Sequence, residues 1–147
     1  MADAATAAAL ITGRDTGKMG DGNRYELWQV FNAEPCTGSN IVDSIVDLNT
    51  NFRGFDITSF KYFGLWVTTG GTGAPNILIG LLESPDNTAA NFVTPNTGGT
   101  VVAAMTTSPN LYSLSPTPMT RMRIRLRGNA GNGAASVTVT AYLFMQG

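Results

Sequence analysis

Histidine is absent from this sequence. That removes the usual general base near neutral pH, the commonest neutral metal ligand and every Ser-His or Cys-His dyad. Cysteine occurs once, at Cys36, so no intrachain disulfide can form and no Cys/His zinc site can be built. Its setting, AEPCTGSN, is turn-like and reads as a small buried or half-buried side chain. Charge is scarce as well, at 13% of residues against a usual value of about 25%. Nine basic and ten acidic residues leave a net charge of -1, so no basic field draws in nucleic acid. The first fifteen residues, MADAATAAALITGRD, lack a basic leader and reach Arg14 after a short, weak apolar run. Neither a signal peptide nor a membrane span is expected there, and folding in a cytoplasm is the simplest expectation. Convincing long helical patterns are also missing.

Thr, Asn, Ser and Gly take the place of the missing charge. Such a surface is poorly defended against association and suits a protein packed against other chains. With 147 residues, 43% of them apolar, the chain is expected to bury one core without staples. Residues 1–23, rich in Ala and Gly, read as an extended N-terminal arm. It carries one short strand about Leu10 to Thr12, or a helical turn at 4–10, and is expected to be ordered by the domain's own surface or by a neighbouring chain, the latter favoured. Residues 24–147 read as the folded domain. Strands are expected at 24–32, 60–68, 76–83, 100–106, 111–114, 121–127 and 136–145. The segment 41–48 is ambiguous in period but short and rich in β-branched residues, which favours a strand. Turns at 69–75, 84–87 and 128–133 carry Gly, Pro, Asn and Asp, and 84–99 is a long polar loop. About eight short strands with turn signals predict an all-β, antiparallel, jelly-roll-like β-sandwich. Trp66, Ile77, Ile79, Leu81, Ile124, Leu126, Val137, Val139 and Leu143 are the expected core.

The carboxylate pairs Asp43 with Asp47 and Glu83 with Asp86 are the candidates for acid–base work on a glycosidic bond. Turn and solvent-face roles explain all four, and nothing around them suggests a perturbed pKa. The loop 84–87 offers too few clustered oxygens for calcium. GNAGNG at 128–133 precedes a strand where a phosphate loop must open a helix, so it reads as a hairpin turn. No catalytic group, cofactor or metal is expected.

The strongest single feature is Arg121, Arg123, Arg125 and Arg127 alternating with Met122, Ile124 and Leu126. On a strand this places four guanidinium groups on one face and three apolar side chains in the core. Four cations in a row need neutralising. An anionic partner could supply the counter-charge, as could Asp and Glu from neighbouring strands; with only five other basic residues, a protein surface suits an external partner better than nucleic acid. In the last strand Tyr142 and Phe144 share the more polar face, as a contact surface or as packing under a loop.

The order DITSFKYFGLWVTTGGTGAPNILIGLLESPDN, a polar loop, then RMRIRLRGNAGNGAASVTVTAYL resembles the small jelly-roll decoration (cement) proteins of tailed-phage heads over residues 54–145. The resemblance implies a virion protein made in the host cytoplasm that binds the outer capsid surface. Its implied partners are the major capsid protein and itself, as a homotrimer, with no nucleic acid or membrane. Its implied action is to clamp neighbouring capsid subunits, and its terminal arms to reach adjacent chains. The RIRLRGN strand also resembles carbohydrate-binding jelly rolls. Those display aromatics on loops, where this chain has only Phe92.

Overall fold

The computed structural model describes residues 2–14, 24–46, 54–72, 74–95, 99–117, 119–128 and 137–147. Eleven strands lie among them: β1 (Ala2–Asp3), β2 (Ala9–Arg14), β3 (Tyr25–Pro35), β4 (Ile41–Asp43), β5 (Phe55–Asp56), β6 (Tyr62–Gly71), β7 (Ile77–Ser84), β8 (Thr100–Met105), β9 (Asn110–Leu114), β10 (Arg121–Gly128) and β11 (Val137–Gln146). The one helical element among the described residues is a single 3-10 turn, Ala89–Asn91, inside the long polar loop. Beyond the eight strands of the domain come β1, β5 and β2, the last of them the short strand expected about Leu10 to Thr12 of the arm. Two of them have only two residues, too few to carry a period.

The first sheet, A, runs β1-β4-β10-β7-β8, with β5 also paired to β10; the second, B, runs β2-β3-β11-β6-β9. Pairing is antiparallel except between β1 and β4. The chain passes repeatedly from one sheet to the other, as a jelly roll does. Alternation of side chains explains why the layers close on each other. Met122, Ile124 and Leu126 of β10 and Ile77, Ile79 and Leu81 of β7 meet Leu65 and Val67 of β6 and Val137, Val139, Leu143 and Met145 of β11 in one buried cluster.

Trp66 departs from the expected core, being 39% exposed. In β6 the inward positions are Phe63, Leu65 and Val67, so period two places Tyr62, Gly64 and Trp66 outside.

The N-terminal segment carries, as β2, the short strand expected about Leu10 to Thr12. Its described part is held by its own chain. β1 joins the edge of sheet A and β2 the edge of sheet B. Between them Ala4 and Ala8 are buried, and their amides donate to the carbonyls of Asp43 and Ile45, each at 2.8 Å. Small side chains let this backbone lie flat on the sandwich while its polar groups are satisfied. Arm residues 15–23, the turn at 129–133 and the far end of the 41–48 segment lie outside the described residues.

Candidate functional site

β10 presents its arginines on the outer face of sheet A, and the neighbouring strands supply acids. Arg121 meets Asp56 of β5 at 3.3 Å. Arg123 is 4% exposed; it pairs with Asp3 of β1, donates to the Ser44 carbonyl at 2.7 Å and lies 5.5 Å from the Phe92 ring centre. Arg125 donates two hydrogen bonds to Asp43 of β4, at 2.7 and 3.0 Å, and this contact raises its pKa. Asp56 shows competing influences: partial burial pushes its carboxyl up, while hydrogen bonds from Thr58 and the nearby Arg121 bring it below its ordinary 3.8. Arg127 is exposed and makes no ion pair among the described residues. Three of the four cations are therefore engaged within the chain, with Arg127 left on the surface.

The groups considered for chemistry are scattered. Asp43 is committed to Arg125, and Asp47 lies outside the described residues. Glu83 is buried, with one carboxylate oxygen accepting from the Thr117 hydroxyl at 2.7 Å and the other without a hydrogen-bond partner. Asp86 instead holds a surface turn, where the Thr88 amide and the Asn91 side chain lower its pKa. Burial and the nearby Glu34 push the Cys36 thiol up to about 11, which keeps it protonated and unreactive near neutrality. No group of three or more Cys, Asp or Glu side chains suited to a metal occurs among the described residues.

The outer face of sheet B is different in kind. Register places Tyr142, Trp66 and Leu111 side by side on β11, β6 and β9, with Gln29 of β3 completing the row. The next row is Leu27, Phe144, Gly64 and Ser113. Leu111 is 74% exposed, Tyr62 65%, and Trp66 and Phe144 39% each. A groove of about 780 Å³ runs over this face, lined by these residues and Tyr112, with Lys61, just before β6, the one charged residue in its lining. Gly64 lies in its floor: a Cβ there would meet nothing nearer than the Tyr112 carbonyl at 3.9 Å, so the bare backbone leaves a notch between Tyr62 and Trp66. The rings pair with one another: Trp66 lies 5.7 Å from Tyr142 at 50°, and Tyr25 lies 6.0 Å from Phe144 at 29°. The Gln29 amide donates to the Tyr142 hydroxyl at 3.3 Å. No outward position of β6, β9 or β11 carries a charge.

Tyr142 and Phe144 thus belong to one aromatic surface, on the sheet opposite the arginines. Trp66, Tyr62 and Leu111 complete it without having been singled out as surface residues. The same alternation that placed Tyr142 outside places Tyr62 and Trp66 there too, whereas Leu111 joins them only through strand register. Looking for aromatics on loops misses this surface, since Phe92 is buried and the exposed rings stand on strands.

No protein-family model and no curated protein sequence matches the chain. Solved structures of similar outline include a low-affinity xylan-binding module, CBM86, from Roseburia intestinalis, with a TM-score of 0.43 at 11% identity, covering 95% of this chain and 89% of that one. A carbohydrate-binding module, CBM36, in complex with calcium and xylotriose matches with a TM-score of 0.43 at 12% identity, covering 95% and 99%. The SPBc2 prophage-derived protein YomS matches with a TM-score of 0.40 at 10% identity, covering 84% and 93%. The likeness is one of chain fold alone.

Proposed function

We propose that this chain is a viral head decoration protein, a non-catalytic β-sandwich that binds across major capsid protein subunits on the outside of the shell and stabilises it. The observation that carries this reading is the exposed aromatic face of sheet B, whose strands β6, β9 and β11 carry no charge and whose groove has Lys61 as its one charged lining residue. Trp, Tyr and Phe grouped with Leu, with no charge among them, is the composition of a buried protein interface centre. The paired, tilted rings and the aliphatic Leu27 and Leu111 suit apolar side chains of another protein. In this reading the protein is made in the host cytoplasm and ends on the outer capsid surface. Nucleic acid is not a partner, because most of the arginine ladder already has internal counter-ions. Arg127, exposed on the opposite sheet, lies away from this face and at most steers the encounter.

A second reading, a carbohydrate-binding module, is favoured by the Gly64 notch, which could admit a sugar ring between Tyr62 and Trp66 with Lys61, Ser113 and Gln146 as polar neighbours. Co-sedimentation with undecorated shells of the same virus separates the two. Wild type should bind, and Trp66→Ala should bind about 30-fold more weakly, as removal of an interface hot spot of roughly 2 kcal/mol requires. Failure to sediment with shells, together with retardation of the protein in polysaccharide-containing gels, would replace the first reading by the second.

A further inference from the structure

We infer that two copies of this chain pair edge to edge through β9, antiparallel about a two-fold axis, joining their B sheets into one. This inference goes beyond shell binding and stands without it. A sheet edge presents backbone N–H and C=O groups ready to pair, and proteins blunt such edges with short strands, charge, proline or bulges. Three of the four edges here are blunted. β1 has two residues. β2 is broken by a register shift between Leu10 and Thr12. β8 meets β7 with two register shifts. β9 has none of these devices: it pairs with β6 over five consecutive residues, Asn110 to Leu114, without a shift, and contains no charge and no proline. Its other side has no strand partner among the described residues.

The start of the edge is also anchored. The Asn110 side chain donates to the Thr107 carbonyl at 2.8 Å, and the Ser108 hydroxyl accepts from the Thr69 amide at 2.9 Å. Two preorganised edges pair with little ordering cost, whereas a flexible foreign segment loses backbone freedom on docking. An antiparallel pair about an axis normal to the sheet keeps both outer faces on one side. The exposed Leu111 then gains a cross-strand neighbour, and the rows ending in Leu111 and Ser113 continue into the second copy, uncharged against uncharged. A strand pairing with its own copy is isologous, so it gives a two-fold dimer in place of the three-fold assembly that the resemblance implies.

Light scattering after gel filtration and sedimentation velocity test this on the purified full chain, with no shell present. A species of twice 15.5 kDa is expected at micromolar concentration. Leu111→Lys, and separately Ser113→Lys, should weaken it by about tenfold or more while the β-sheet circular dichroism stays unchanged. Arg127→Gln should leave it intact. A monomer at every concentration, a trimer, or a dimer indifferent to both lysine variants would overturn the inference. The monomer would leave β9 to a foreign strand and the trimer to another surface.

Discussion

Truncation of Ile124 to Ala should lower the stability of the fold by about 2–5 kcal/mol, the cost of deleting a buried aliphatic side chain and leaving its cavity. Ile124 is fully buried at the middle of β10, opposite Leu81 of β7, and its backbone amide donates to the Ser44 hydroxyl at 2.9 Å. Strands flank it on both sides and the inner face of sheet B lies beyond, so the site has little room to collapse. The melting temperature should fall by on the order of 5–20 °C in a domain of this size. Urea titration checks the free energy directly. A loss below about 1 kcal/mol would mean that β10 is not the central strand described here.

Removal of the Asp43 carboxylate should be nearly as costly. Asp43 is 3% exposed and takes two hydrogen bonds from Arg125. Asp43→Ala leaves that guanidinium half-buried against β4 without its counter-charge, at a cost of about 3 kcal/mol, the lower end for a buried pair because Arg125 reaches solvent. Arg127→Gln, one step further along the same strand face and exposed, should change stability by about 0.5 kcal/mol or less. Replacing both members of the pair, Asp43→Leu with Arg125→Met, should recover most of the loss, because no uncompensated charge remains. Equal effects of Asp43→Ala and Arg127→Gln would show that the ladder is not neutralised from within.

The contrast between those two variants marks where the sequence stops being informative. Alternation in RMRIRLR places Met122, Ile124 and Leu126 inside and the arginines outside, because that pattern is local to one strand. The identity of the counter-ions is not local. Asp3, Asp43 and Asp56 come from three strands distant in sequence from β10, and two of these, β1 and β5, are too short to show a period. Trp66 shows the opposite failure. Its size suggests a core residue, yet its position between Leu65 and Val67 forces it outward. The aromatic face needed two further facts, the register of β11 on β6 and of β6 on β9, which bring Tyr142, Trp66 and Leu111 into one row. The N-terminal segment resisted reading because alanine has no strong side-chain preference for a partner. Backbone hydrogen bonds to Asp43 and Ile45 hold it, and no composition announces those.

The claim that the outer face of sheet B is the binding surface can be read from Trp66 itself. The chain has two tryptophans, and Trp28→Phe leaves Trp66 as the reporter. Trp28 packs edge-on against Phe55 at 5.4 Å, a contact that phenylalanine largely retains. On addition of undecorated shells, the emission of Trp66 should move to shorter wavelength and its quenching by acrylamide should fall, in proportion to the protein that co-sediments. Protein that co-sediments while Trp66 keeps its emission and its quenching unchanged would place the contact elsewhere on the molecule and contradict the account.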